Sequence, residues 1–301
     1  MEDKSYPSVP LTKIQPMKFR VYSHNIKNGG HTDLVPGEQP WEHRVDDITA
    51  SIKFHRSQNS IVTLQEVYKF QLDSIVDALN KVGEWDWYGV GRIDGKEMGE
   101  FVPILFRTSE WELVFSDTVW LNDKDPRTAL EGWDAKYLRI VSYVTLKNKH
   151  TGNHINVFNT HFDHVGQEAR HGSAKAIIRR MEDINQWPSI LCGDLNFEPE
   201  EDTYDILAQS LQDVSKLATD DTRYGYTDSS VTGFADEVLA LGGQKIDYIF
   251  APKYATSMNG QCKGTVRMSL EAWGVLQSKF GQYYMSDHRP LVADFWLDKC
   301  E

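Results

Sequence analysis

A chain of 301 residues with 40% hydrophobic and 25% charged side chains is long enough to bury a thick core, which argues against disorder except at the ends. Forty-four acidic against 32 basic side chains give a formal net charge of −12, a field that disfavours tight nonspecific binding to duplex nucleic acid. A nucleic acid substrate stays open to a locally basic or cation-loaded cleft, but the charge favours a small phosphorylated one.

In chain order, residues 1–17 carry Pro7, Pro10 and Pro16 and read as an extended arm with few apolar partners. Phe19 to His24 alternates at period two, a strand signal. Trp41 to Phe54 places Val45, Ile48 and Ile52 on one helix face, and Ser60 to Gln65 is a short apolar run that fits a buried strand. Val67 to Leu79 returns to helical spacing through Phe70, Ile75, Val76 and Leu79. Strands are predicted at 85–90, 101–107, 111–120, 138–147 and 154–160, with no long helix among them. Glu168 to Ile184 is a predicted helix with Ala169, Ala176, Ile177 and Met181 on one side. A strand at 189–193 and a short helix at 200–211 follow. Residues 213–243 are mostly polar and irregular, a candidate mobile loop carrying Tyr224, Tyr226 and Phe234. Strands resume at 245–250 and 290–297. No repeat or linker interrupts this order, so residues 18–301 read as one α/β domain with two packed sheets.

Cys192, Cys262 and Cys300 are odd in number and far apart, which argues against a disulfide framework or a structural zinc. The first residues lack a basic and apolar leader, no N-x-Ser/Thr sequon occurs, and no apolar run spans a membrane. The expectation is a cytoplasmic protein with no obligate protein partner.

Chemistry gathers where apolar strands end in polar residues. Strand 19–24 runs into Asn25, and strand 60–65 into Glu66. Strand 154–160 ends in Thr160-His161-Phe162-Asp163, and strand 189–193 in Asp194-Leu195-Asn196. Asp247 lies in strand 245–250, and Ser286-Asp287-His288-Arg289-Pro290 precedes the last strand. Each alone has an ordinary reading as a turn, a cap or a solvated carboxylate. Their joint occurrence at successive strand ends is what those readings leave unexplained.

The stretches Ser23-His24-Asn25, Leu64-Gln65-Glu66-Val67, Asn159-Thr160-His161, Gly193-Asp194-Leu195-Asn196, Ile246-Asp247-Tyr248 and Ser286-Asp287-His288-Arg289-Pro290 together resemble the endonuclease/exonuclease/phosphatase superfamily. That group includes deoxyribonuclease I, apurinic endonucleases, deadenylases, sphingomyelinases and inositol polyphosphate 5-phosphatases. The resemblance runs from about Lys18 to Leu297, closest to small stand-alone members. It implies a four-layered α/β sandwich, with two central, mostly antiparallel sheets flanked by helices. It implies Glu66 as the principal metal carboxylate, with Asn25 and Asp287 as further ligands or orienting groups, and Mg²⁺ or Mn²⁺ as the ion. Asp194 and Asn196 resemble the pair that positions or deprotonates the attacking water. His288 resembles the catalytic histidine, Asp247 the carboxylate that fixes its tautomer, and His161 a second histidine on the phosphate. Glu100 resembles the carboxylate paired with His161, and Arg139 an arginine that meets substrate phosphate.

Cleavage of a phosphate ester needs such a set: charge neutralisation on the phosphate, an aligned water, and a proton acceptor for it. Asp194 and His288 are both candidates for that acceptor, and one- and two-ion mechanisms stay open. The expected activity is phosphoric ester hydrolysis of phosphodiesterase or nuclease type. A phosphomonoesterase of a small metabolite or lipid head group is the alternative enzyme, and a catalytically silent scaffold the alternative class. The motifs leave nucleic acid, nucleotide, lipid and sugar phosphate open as substrates. His164, Gln167, Arg170 and His171 follow His161 closely, which makes His164 and Arg170 candidate substrate-binding residues. The run Trp133 to Arg139 mixes aromatic and basic groups suited to a ring and a phosphate, or to sheet packing.

Overall fold

A computed structural model of the protein describes residues 4–11, 13–236, 243–257 and 266–300. The first half runs β1 (Met17–Asn25), α1 (Trp41–His55), β2 (Ser60–Gln65), α2 (Lys69–Leu79), β3 (Trp85–Tyr88), β4 (Ile104–Arg107), β5 (Trp111–Trp120), β6 (Ile140–Asn148) and β7 (His154–His161). The second half runs α3 (Gln167–Asp183), β8 (Ser189–Asp194), α4 (Asp202–Ser210), β9 (Leu211–Asp213), α5 (Val214–Leu217), β10 (Arg223–Gly225) and β11 (Asp247–Pro252). Then come β12 (Thr256–Ser257), β13 (Val266–Val275), β14 (Lys279–Phe280), β15 (Tyr283–Tyr284) and β16 (Leu291–Lys299).

Two large sheets form, one ordered β10-β13-β16-β1-β2-β4-β3 with β12 beside β13, the other β5-β6-β7-β8-β11-β9. Most neighbours are antiparallel, but β1 runs parallel to β2, β7 to β8, and the short β10 and β12 to β13. Period-two alternation sorts each strand's side chains between two layers. Phe19, Val21 and Ile61 of the first sheet face Val157, Ile190, Cys192 and Ile249 of the second. Their alternating neighbours Tyr22, Val62 and Leu64 meet Ile48, Ile52, Leu72 and Ile75 of α1 and α2. Outside the second sheet, Tyr143, Phe158 and Phe250 pack on Ile177 and Met181 of α3 and Leu207 of α4. Each such side chain contributes about 1.5–3 kcal/mol by burial. The result is the expected four-layered α/β sandwich.

Several expectations change. Sequence reading left 266–275 without an element, yet β13 pairs with β16 along its whole length. The register slips between Leu270 and Ala272, so the extra residue Glu271 reverses the alternation midway and erases its period. Segment 213–243 contains α5 and β10, with the last residue of β9 at its start, where an irregular loop was expected. It is anchored as well: Phe234 is buried and Tyr226 lies 3.8 Å under the Arg289 guanidinium. Residues 237–242 of that segment lie outside the described residues. The described part of the arm forms no helix or strand before β1 and has apolar partners, because Tyr6 meets Phe115 at 5.6 Å and Ile14 is buried. Cys192 is a free buried thiol, whereas Cys300 is disulfide-bonded, against the expectation from cysteine spacing. Separation along the chain does not report separation in space. No helix among the described residues is long and apolar enough to cross a membrane.

Candidate active site

The parallel pairs β1–β2 and β7–β8 bring the polar ends together. Asn25 is in register with Gln65 across β1 and β2, and His161 with Asp194 across β7 and β8. Antiparallel β11 enters the same place from the other direction, so Asp247 at its start lies opposite Asp194. Gly193 is required by this crowding: a Cβ there would lie 2.1 Å from the Thr160 carbonyl oxygen. Immediately past the strands, Lys27, Glu66 and Asn196 adopt φ of 55°, 58° and 52°. Each costs about 1–2 kcal/mol for a residue with a Cβ, and each turns a side chain into one cleft.

Glu66 Oε1 accepts from Asn25 Nδ2 at 3.1 Å, and Oε2 accepts from Asn28 Nδ2 at 2.9 Å and Asn28 N at 3.1 Å. Asn25 Nδ2 also donates to Asp194 Oδ2 at 2.9 Å. That oxygen is a hub, with His161 Nε2 at 3.5 Å and His288 Nε2 at 3.7 Å. The other Asp194 oxygen accepts the Asn196 amide at 3.1 Å. His288 Nδ1 lies 2.8 Å from Asp247 Oδ2, the pairing expected of a tautomer-fixing carboxylate. His161 Nδ1 lies 3.9 Å from Glu100 Oε2, whose carboxylate accepts Arg92 Nη1 at 2.7 Å.

The field is set by burial and by these pairings. Burial, reinforced by Asp247, pushes the Asp194 carboxyl up to about 7. Burial pulls His288 down, but Asp247 and Asp194 outweigh it and hold the imidazole well above its ordinary value. Burial would raise Glu66, yet Lys27 and the Asn25 hydrogen bond help hold it below the usual carboxylate range. His161 itself is driven well below its ordinary value by burial and by Arg139.

The donor set fits a divalent cation. Ligand atoms of Glu66, His161 and Asp194 lie within 4.8 Å of one another, as do those of Asp194, Asp247 and His288. His161 Nδ1 is buried and makes no hydrogen bond. The other two residues expected as ligands stand differently. Asn25 turns its amide nitrogen toward the carboxylates and gives Oδ1 to the Lys27 amide at 3.0 Å, so it orients. Asp287 lies outside both clusters and faces Lys27 Nζ at 3.6 Å.

Around these groups lies a cleft of about 480 Å³, polar-walled, which Glu100, Arg139, His161, His164 and Asn196 also line. Arg139 is 5% exposed, and its Nη1 has no hydrogen-bond partner. Its Nη2 lies 3.4 Å from His164 Nδ1, and His164 stacks on Tyr137 at 5.5 Å. Arg170 is not at the cleft. Its Nη1 donates to the Asp163 carbonyl at 3.1 Å and its Nη2 to Glu201 at 2.8 Å, fastening α3 to the loop after β7. Sequence reasoning missed Lys27, Asn28, Tyr68 and Arg92, which also line the cleft. Asn28 and Tyr68 stand within three residues of named motif positions, a signal that was there to use; Arg92 lies in a stretch with no motif.

A family model described as the endonuclease/exonuclease/phosphatase family matches residues 22–288. The chain belongs to this family. Among solved structures, an endonuclease/exonuclease/phosphatase from Bacteroides vulgatus is 31% identical, covering 94% of this chain and all of that one at a TM-score of 0.80. A mannosyl-6-phosphatase from Bacteroides thetaiotaomicron is 27% identical over 94% of this chain and 100% of its own, with a TM-score of 0.76. The human Nocturnin catalytic domain, at 21% identity and TM-score 0.69 over 95% of this chain and 97% of that one, shares the fold. No curated protein matches the chain. Endonuclease/exonuclease/phosphatase members hydrolyse phosphoric esters, and the present chain has that hydrolase fold with a candidate metal cluster at the expected strand ends.

Proposed function

We propose that the chain is a divalent-metal-dependent phosphomonoesterase acting on a small phosphorylated metabolite of sugar type. The observation that carries this reading is Arg139, a buried guanidinium with a free N–H, set in the same modest cleft as Glu66, Asp194 and His288. A monoester dianion carries one more charge than a diester and is matched by an added fixed cation, here Arg139. The net charge of −12 and the likeness to a mannosyl-6-phosphatase support the same substrate class.

Glu66, Asp194 and His161 would hold the cation, Mg²⁺ or Mn²⁺, which when bound neutralises phosphate oxygens. The remaining work falls to side chains. Arg139 grips a nonbridging oxygen, and Asn196 holds Asp194 through its backbone amide. Asp194 orients the attacking water and accepts its proton. As the new P–O bond forms, the ester P–O bond breaks, leaving inorganic phosphate and an alcohol. His288, kept protonated by Asp247, gives Nε2–H to the developing charge. Tyr137 and His164 wall the space for the leaving group. Residues 18–301 act in this reading as one catalytic domain. The disulfide at Cys300 favours an oxidising compartment over the cytoplasm.

The test is phosphate release from mannose 6-phosphate, glucose 6-phosphate and p-nitrophenyl phosphate, beside bis(p-nitrophenyl) phosphate, single-stranded DNA and RNA. Each runs with Mg²⁺, Mn²⁺ or EDTA and with Glu66→Ala and His288→Ala. EDTA-sensitive release from the monoesters, lost in both variants, is the expected result. Preferred cleavage of the diester or the polynucleotides would overturn it in favour of the phosphodiesterase alternative.

A further inference from the structure

The loop 121–133 and the outer face of α3 enclose a second pocket of about 380 Å³. We propose that this pocket binds a phosphate or sulfate group carried on a ring, at a site separate from the catalytic cleft.

One wall is cationic. Lys175 and Arg179 are four residues apart on α3, so they project from the same face, with Arg180 beside them. Among the described residues no carboxylate pairs with any of the three. Lys175 and Arg179 are exposed, and Arg180 donates Nη1 only to the Ala176 carbonyl of its own helix at 3.1 Å. In a chain of net charge −12, three cations against two lining carboxylates leave this wall net positive. Two carboxylates line the same pocket, and one of them is committed: Asp123 Oδ1 accepts the Trp133 amide at 2.9 Å. The other, Glu168, stands in the first turn of α3, two turns from Lys175. His171 adds a ring nitrogen, Nε2, that is buried without a hydrogen bond.

The other wall is aromatic and built to stay in place. Trp133 is 37% exposed and holds φ at 50°, a conformation that bulky side chains rarely adopt. Its indole lies against Gly172, where a Cβ would stand 2.1 Å from the ring, so the helix leaves room for the indole only because that residue is glycine. The next residue, Asp134, accepts the backbone amides of Ala169 at 2.7 Å and Glu168 at 3.3 Å, pinning the loop to the first turn of α3. The first amides of the helix are thereby occupied, and binding falls to the side-chain cations. A fixed, part-exposed indole beside unpaired guanidinium and ammonium groups suits a ring stacked on the indole with its anionic group on the cations. A sugar and a nucleoside share this chemistry.

Calorimetric titration of the folded protein with inorganic phosphate, glucose 6-phosphate and AMP tests the site without requiring turnover. The variants are Lys175→Glu/Arg179→Glu, Trp133→Leu and, for the catalytic cleft, Arg139→Ala. Binding of at least one ring phosphate is expected to survive in Arg139→Ala and to disappear from the second site in Lys175→Glu/Arg179→Glu, with an unchanged thermal midpoint. Trp133→Leu is expected to weaken the ring phosphate about tenfold while leaving inorganic phosphate alone. Whether glucose 6-phosphate or AMP loses more identifies the ring. Equal stoichiometry and affinity in parent and Lys175→Glu/Arg179→Glu protein would overturn the proposal and leave these cations a solvated face. The readout is independent of hydrolysis, so failure here and failure of the phosphomonoesterase reading are separable.

Discussion

Gln65 donates from Nε2 to Asn159 Oδ1 at 2.8 Å across the seam between the two sheets. Asn159 in turn gives Nδ2 to the Leu64 and Pro103 carbonyls, each at 2.8 Å. Both amides are fully buried, directly beneath Glu66 and His161 in the chain. Asn159→Leu removes one acceptor from Gln65 and the side-chain donor from the Leu64 and Pro103 carbonyls, and is expected to cost about 1–3 kcal/mol of stability. Denaturant unfolding measures it, and an unchanged midpoint would show the bridge to be dispensable.

Asp247→Asn removes the charge that outweighs burial at His288. Without it the imidazolium gives up its proton at lower pH, so the alkaline limb of the kcat profile is expected to move downward. A loss of about 10²–10⁴ in kcat at neutral pH accompanies it, with KM little altered. An unshifted alkaline limb would remove His288 from the role of acid.

In metal-free protein the Asp194 carboxyl, raised from 3.8 to about 7 by burial, keeps its proton when folded. The folded state then binds more protons than the unfolded chain between these values. Its contribution to stability is therefore full below 3.8 and lost as pH rises through about 7. Cation binding in this window is expected to release a proton and to weaken as pH falls. Calorimetry in buffers of different ionisation enthalpy reads that proton directly.

Arg139→Ala is expected to raise KM for a phosphomonoester, and the inhibition constant of inorganic phosphate, by about tenfold to hundredfold, the range for a lost hydrogen bond to a charged group. Arg170→Ala, which touches Asp163 and Glu201 outside the cleft, is expected to lower stability and leave KM in place. Steady-state kinetics on the two variants separate the roles; a KM change in both would return Arg170 to the site.

Cys192 lies in the layer between the sheets, and burial pushes its thiol up to about 12. It is expected to resist thiol reagents in the folded protein and to react on unfolding. Peptide mass mapping after labelling at each denaturant concentration follows it.

Much of this protein is determined locally and was open to the sequence. The apolar run of β8, buried on both faces, and the one-sided apolar face of α3 are legible locally, and Asn25, Glu66, His161, Asp194, Asp247 and His288 each stand at or beside a strand end. Local periodicity fails where one residue interrupts it, which is why Glu271 concealed β13. Tertiary structure alone decided what the polar residues between motifs do. Arg139 and Arg170 are both basic residues near the same motif, yet one lines the cleft and the other ties a loop to a helix. Arg92 reaches Glu100 only because the chain between them folds back on itself. Period and motif are properties of neighbours along the chain, whereas a guanidinium's partner is fixed by which strands become adjacent, and that is set by packing of the whole sandwich.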